Sequence, residues 1–406
     1  MKLSLLALAA LALPAALAGQ AQDQAVAGRA AGCVYCHSPE ATQAKIGIHQ
    51  RSGIDCVACH NGDPQERADA RAAHGPDFAP LGDPVAAVES CGRCHADPER
   101  MAHFGLKTDQ LALYRTSSHG KALYEGHGKQ VATCMDCHGT HRVLPVSDPR
   151  SEASKLRLTK TCMGCHEDRE LMSAHGVNAT APADYRGSVH GRELLEKGNL
   201  ASPGCVDCHG SHGAAPPRMG TIEMVCGHCH TPEREQFRKS PHFAASQRGE
   251  MSECTSCHAN HAVEEIGPEE LIKEDGLCAV CHQDPGEPAR RVAREIHDKL
   301  LVLEQDVRKV EAEVAEAALR GLFLRDHVGF VDELRSLRRS SAPVTHASSQ
   351  EVLEEVVKRG DGMVVKTNKS LEILFKHLRD LRYFAALFLF VCILLTGLLL
   401  YYRREL

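Results

Sequence analysis

The sequence predicts a mostly α-and-coil chain in three successive parts, and three observations carry that expectation. One short cysteine–histidine pattern recurs nine times before residue 287; a charged segment with apolar residues at heptad spacing follows it; and Tyr383 to Tyr402 is a run without a charge. The 406 residues include no Trp and only 4% aromatic side chains, so aromatic packing cannot fill the core of the first part. The formal charge of -6 is modest for this length and gives no reason to expect nucleic acid as a partner.

Eighteen of the 19 Cys fall in copies of Cys-x-x-Cys-His, leaving only Cys392 outside. The copies are Cys33-Cys36-His37, Cys56-Cys59-His60, Cys91-Cys94-His95, Cys134-Cys137-His138, Cys162-Cys165-His166, Cys205-Cys208-His209, Cys226-Cys229-His230, Cys254-Cys257-His258 and Cys278-Cys281-His282. Each element of the spacing has a mechanical reason in haem c attachment. Two thiols add to the two vinyl groups on one porphyrin edge, and the adjacent His swings under the ring to ligate iron. Structural zinc sites use paired Cys but do not demand His after every second one. Thioredoxin-like pairs need a βαβ context that this Gly-, Pro- and His-punctuated segment lacks, and iron–sulfur clusters use closer groups of Cys. Nine covalent haems are therefore expected, and a haem-filled core accounts for the scarcity of aromatic residues.

Sixteen further His remain, and their placement repeats. Ser-x-His occurs at His119, His190 and His242, upstream of Cys134, Cys205 and Cys254, and the motifs that follow carry another His three places on, at His141, His212 and His261. A third kind follows alternate motifs, at His103 and His175. Residues 91–297 thus read as three related two-haem modules plus a final haem at Cys278.

On these motifs residues 30–300 resemble the multihaem cytochrome c superfamily that includes the small tetrahaem cytochromes and the hydroxylamine-oxidoreductase-like proteins. The resemblance implies that His119, His190, His242, His141, His212 and His261 are distal iron ligands to neighbouring haems. His49, His74 and His297 complete nine by count, with His103 and His175 as substitutes; His127 and His228 fit less well. All nine motifs end in His, whereas ammonia-forming nitrite reductases of that superfamily replace one with Lys, and no Tyr is obviously placed for a hydroxylamine-oxidase cross-link. With enough distal His for every iron, the expected function is an electron relay without catalytic residues. The rivals are a reductase or oxidase of a small nitrogen or sulfur species, and a haem-bearing structural subunit of a respiratory complex.

The remaining segments concern the membrane. Residues 1–18 read as a secretory signal peptide: Lys2, an apolar run interrupted by Pro14, and Ala16-Leu17-Ala18 as a cleavage site. The nonahaem domain is then expected over 19–287 and a helical hairpin or stalk over 288–382, with Ile296, Leu300, Leu303, Val307, Val310, Val314 and Ala317 as a heptad seam. A second amphipathic stretch starts at Gln350 and ends in Leu371, Leu374, Leu378 and Leu381; SSAPVTH and Gly360-Asp361-Gly362 between them read as turns or bends. Tyr383 to Tyr402 is long enough as a helix to span about 30 Å, with tyrosines at both ends and Arg403 and Arg404 as a cytoplasmic tail. The expected location is the periplasmic face of a cytoplasmic membrane. The expected partners are a membrane-bound redox protein or respiratory complex on one side and a periplasmic redox protein on the other, with the stalk packing on the haem domain or forming a homodimer.

Overall fold

The computed structural model describes residues 31–126, 130–218, 220–320 and 325–405. The expected signal peptide at 1–18, and His127, lie outside these residues. The chain is mostly helical, with no strand among the described residues. It divides into two compact units, one running to Pro217 and taking in Ala259–Glu264, the other comprising Arg218–His258 and the chain from Glu265 onward. This division does not fall at residue 287, where the composition changes: the last three motifs keep company with the long C-terminal helices.

In the first unit, short helices alternate in kind along the motifs. The third and fifth motifs end the 12-residue helices Pro84–His95 and Lys155–His166. The second, fourth and sixth are each a five-residue helix of their own, Cys56–His60, Cys134–His138 and Cys205–His209. Asp83 starts the first of the long ones by accepting a 2.8 Å hydrogen bond from Ala86 N, with Pro84 at the first helical position, where its missing N–H is no loss. Apolar packing is sparse: Val88, Tyr114 and Leu123 form one small buried cluster.

The second unit contains three long helices, Pro288–Leu319, Arg325–Val344 and Gln350–Glu405. Every residue of the heptad seam from Ile296 to Ala317 is buried. It packs against Val331, Leu334, Val364 and Leu371 of the other two helices, with a second layer of Ile296, Leu300, Val344 and Leu353. The seam is thus occupied within the chain itself. The helix Thr231–Phe237, just after the seventh motif, packs on Arg325–Val344 and on the turn Thr345–Ala347.

Two local expectations are corrected. The stalk is three helices and not a hairpin, because SSAPV continues the helix Arg325–Val344 with Pro343 tolerated in its last turn, and only Thr345–Ala347 turns the chain. Gly360-Asp361-Gly362 does not break the last helix, which runs unbroken from Gln350 to Glu405. A side chain at Gly360 would run into Leu303 and Leu337, so this glycine serves close helix packing and not a bend. The last helix is long and apolar enough to cross a membrane, and none of its most apolar stretch is buried in the protein.

Leu334 is completely buried between the three helices, so Leu334→Ala should destabilise the unit by about 2–5 kcal/mol. Leu319, 89% exposed, is the control, with an expected change within about 0.5 kcal/mol on replacement by Ala. Denaturant unfolding of the detergent-solubilised protein, followed by helical circular dichroism, checks both.

Candidate metal centres

The upstream His residues are held by a repeated clasp. Ser117 caps the helix Ser118–Tyr124: its hydroxyl donates to the Tyr114 carbonyl at 2.6 Å and accepts from Gly120 N at 2.9 Å. Ser188 repeats this with Tyr185 O at 2.7 Å and Gly191 N at 3.0 Å, and Ser240 with Phe237 O at 2.6 Å and Phe243 N at 3.2 Å. A methyl group on Gly120 or Gly191 would collide with the Tyr114 or Tyr185 carbonyl, so glycine is required where the helix turns back over the clasp. The tyrosine hydroxyls reach forward to the approaches of the next motif, Tyr114 to Ala132 O at 2.9 Å and Tyr185 to Pro203 O at 2.8 Å. Burial pushes the Tyr185 hydroxyl up to about 12 and Tyr114 in the same direction, so both remain donors. Gly47 has the same extended backbone (φ -68, ψ 154) as Ser117 (φ -68, ψ 165), which makes Gly47-Ile48-His49 a fourth copy without the hydroxyl.

The downstream His residues follow a left-handed turn. The residue after the motif His has φ 56 at Asn61, 79 at Gly139, 78 at Gly210 and 59 at Ala259. This reversal brings the segments carrying His141, His212 and His261 back toward the upstream clasps, and a single backbone bond locks each meeting. Ile48 N donates to Val143 O at 2.7 Å, Ser118 N to Ala214 O at 2.9 Å, and Val189 N to Val263 O at 2.9 Å. In each case the donor immediately precedes an upstream His and the acceptor lies two residues past a downstream one. His49 is thereby tied to His141, His119 to His212, and His190 to His261.

The upstream and downstream His residues face different motifs. Ring centres lie 6.0 Å apart for His37 and His74, 6.0 Å for His49 and His95, and 6.0 Å for His119 and His166. They lie 6.2 Å apart for His242 and His282, 6.1 Å for His60 and His141, 6.1 Å for His138 and His212, and 5.8 Å for His209 and His261. An eighth pair, His258 and His346, stands at 6.0 Å. Two imidazoles bound to one iron from opposite sides, each through a ring nitrogen at about 2 Å, have centres about 6 Å apart. The His60 ring donates through Nδ1 to Ala79 O at 2.9 Å, and His209 through Nδ1 to Ala215 O at 3.2 Å, which leaves Nε2 as the nitrogen that could bind a metal. Burial lowers the pKa of His49, His95, His119, His138, His141, His166, His212, His242 and His261, favouring the neutral form that coordinates.

The cysteines complete the fit. None of them is in a disulfide. The first sulfurs of successive motifs touch in pairs, Cys33 with Cys56, Cys91 with Cys134, Cys162 with Cys205, and Cys226 with Cys254. Between those pairs, Cys59 feels Cys91 and Cys94, Cys137 feels Cys165, and Cys257 feels Cys278 and Cys281. Within each unit the motifs form an unbroken line. Among the described residues no group of three or more His, Cys, Asp or Glu converges to hold a bare metal ion.

The remaining candidates are placed as follows. His190 stands on the short helix Val189–Gly191, with its carbonyl accepting from Ser202 Oγ at 2.9 Å, and His230 caps the helix Thr231–Phe237. His297 turns its Nδ1 to Asp298 at 2.9 Å, and the ring opposite His258 is that of His346, which the sequence reading passed over as part of a turn. His103 and His228 are exposed, and His103 lies edge-on to Phe104. His49, which entered the sequence-based set only by count, could have been found from the spacing Gly47-x-His49, equivalent to Ser-x-His.

Ala259 holds a left-handed conformation that favours glycine, so Ala259→Gly should raise stability by about 1 kcal/mol. Ser188→Ala, which strands the buried Gly191 N–H, should lower it by about 1–3 kcal/mol. Shifts in the denaturation midpoint of the purified protein, in opposite directions, check the pair.

No family model matches this chain, and neither does any curated protein or solved structure.

Proposed function

We propose that this chain is a nonahaem c-type cytochrome that relays electrons at the periplasmic face of a cytoplasmic membrane. The observation that carries the proposal is the recurrence of a second imidazole 5.8–6.2 Å from the motif His, in ring pairs that join residues from different motifs. Iron held in a porphyrin supplies reversible one-electron storage when bound. The chain's own groups would do the rest: the two Cys thiols of each motif would hold the porphyrin by thioether bonds to its vinyl groups, and the motif His and the distal His would hold its iron. An iron closed on both faces exchanges electrons but offers no position to a substrate, which favours a relay over a reductase. Two neutral imidazoles, in place of His and Met, set low potentials.

Within each unit, motifs that follow one another along the chain lie near one another, which supports transfer in chain order, first to sixth motif in one unit and seventh to ninth in the other. The final helix anchors the chain, with Tyr383 to Tyr402 in the bilayer. Between Gln350 and Tyr383 it provides about 50 Å of helix at about 1.5 Å per residue, so a quinol-linked donor must have a domain that rises from the membrane to meet the haems. A soluble periplasmic protein accepts the electrons.

Mass spectrometry of the mature protein should show nine added haems, and fewer than eight would overturn the proposal. The oxidised protein should be low-spin throughout, and the reduced protein should give no carbon monoxide difference spectrum; one haem that binds and turns over nitrite or hydroxylamine would replace the relay with an enzyme.

A chain stopped before Arg382 should be recovered from the periplasm as a soluble red protein. Retention on membranes after a salt wash would show that something other than the last helix holds it.

A further inference from the structure

We propose that His346, from the turn between the second and third long helices, is the distal ligand of the eighth iron, so that the helical stalk completes the haem chain. The inference rests on the nonahaem reading and adds a site to it. His297, which completes the ligand set only by count, is replaced in this role.

The distance is the first ground. The His346 ring centre lies 6.0 Å from that of His258, with the planes 15° apart, the same separation as in the other seven pairs. Two imidazoles that bind one iron from opposite sides through ring nitrogens stand at this separation, and here it recurs in a pair that joins a motif His to a His outside every motif.

The second ground is independent and comes from the order of the repeats. The second, fourth and sixth motifs face His141, His212 and His261, each of which follows the next even-numbered motif by three residues. The eighth motif has no even-numbered motif after it, so this source is exhausted at His261. Yet the fourth clasp, Ser240-Pro241-His242, still needs a partner segment. In the three earlier copies that segment is fixed by a backbone N–H just before the upstream His, bonded to the carbonyl two places past the downstream one. Pro241 has no N–H to give. The residue two places past His346 is Ser348, and its hydroxyl lies 3.4 Å from His242 Nδ1. The stalk turn therefore stands in the same register to the fourth clasp as Val143, Ala214 and Val263 do to the first three. A side-chain contact has taken over where the backbone bond is chemically unavailable.

The turn itself is shaped for this. Helix Arg325–Val344 passes directly into the single 3-10 turn Thr345–Ala347, and Ser348 adopts the left-handed conformation (φ 49) that reverses the chain into the last helix. His346 Nδ1 donates to Pro343 O at 3.2 Å, which makes Nε2 the nitrogen that could bind a metal. Ala347 and Val344 on either side are buried, so the ring is carried on a fixed support. The membrane-anchored helices and the eighth and ninth haem sites thus share one rigid element, and the haem segment is not separable from the stalk at residue 287.

The test uses the full-length protein in detergent. His346→Ala should keep nine haems by mass while one of the nine becomes high-spin and binds about one carbon monoxide per chain; His297→Ala should leave all nine low-spin. If His346→Ala keeps every haem low-spin with no carbon monoxide bound, the assignment is overturned. A wild-type chain carrying fewer than eight haems would sink the nonahaem reading instead, so the two failures are distinguishable. Should the alanine variant not accumulate, His346→Met decides the matter. It is expected to show the iron–methionine charge-transfer band and one haem with a raised potential, and absence of both overturns the assignment.

Discussion

Everything in the part that carries the Cys-x-x-Cys-His motifs depends on holding two imidazoles from distant points of one chain with their ring centres about 6 Å apart. A motif can hold its own His by proximity in sequence, but the second ring must arrive from elsewhere. The chain solves this with one backbone hydrogen bond per repeat, tying an upstream clasp to a downstream turn. Each such junction fixes two rings at once, and these rings face different motifs: His119 faces His166, while His212, tied to it, faces His138. Neighbouring repeats are therefore interlocked, and no two-motif module is complete without the next, as in other linear repeat architectures.

The same constraint explains the chemistry of the small residues. Gly120 and Gly191 are needed because the clasp leaves no room for a methyl group, and Gly139 and Gly210 because the reversal after the motif demands φ near 80. The serines are buried donors and acceptors at once, so they cannot be exchanged for an apolar residue without stranding a backbone N–H. Apolar packing plays a minor part here. It dominates instead in the three long helices, where a continuous seam from Ile296 to Ala317 is covered by the chain's own neighbours.

A relay needs closed irons in close succession and a fixed position relative to its partners. On the relay reading, the nearness of successive motifs within each unit would serve the first need, and the long unbroken helix would serve the second as a spacer. Were the stalk turn to supply the eighth distal ligand, positioning and coordination would be one and the same structural feature.

Much of this was legible in the sequence because the relevant chemistry is local. Cys-x-x-Cys-His is complete in five residues; heptad spacing marks a buried helix face wherever it occurs; a charge-free run of membrane length announces itself; and the repeated Ser-x-His marks a recurring structural element, the serine clasp, before any fold is known. What the sequence left open was every question whose answer lies in a neighbour remote along the chain. Gly360 reads as a helix breaker until Leu303 is seen packed against it. SSAPVTH reads as a turn because Ser and Pro usually mark one, yet burial of Leu334, Leu337 and Val344 carries the helix through to Val344. His297 and His346 are equally plausible as lone histidines, and nothing in their immediate sequence separates them. Only the tertiary structure could, because facing another imidazole is a property of position in space, set by how three helices pack, and not of the residues on either side.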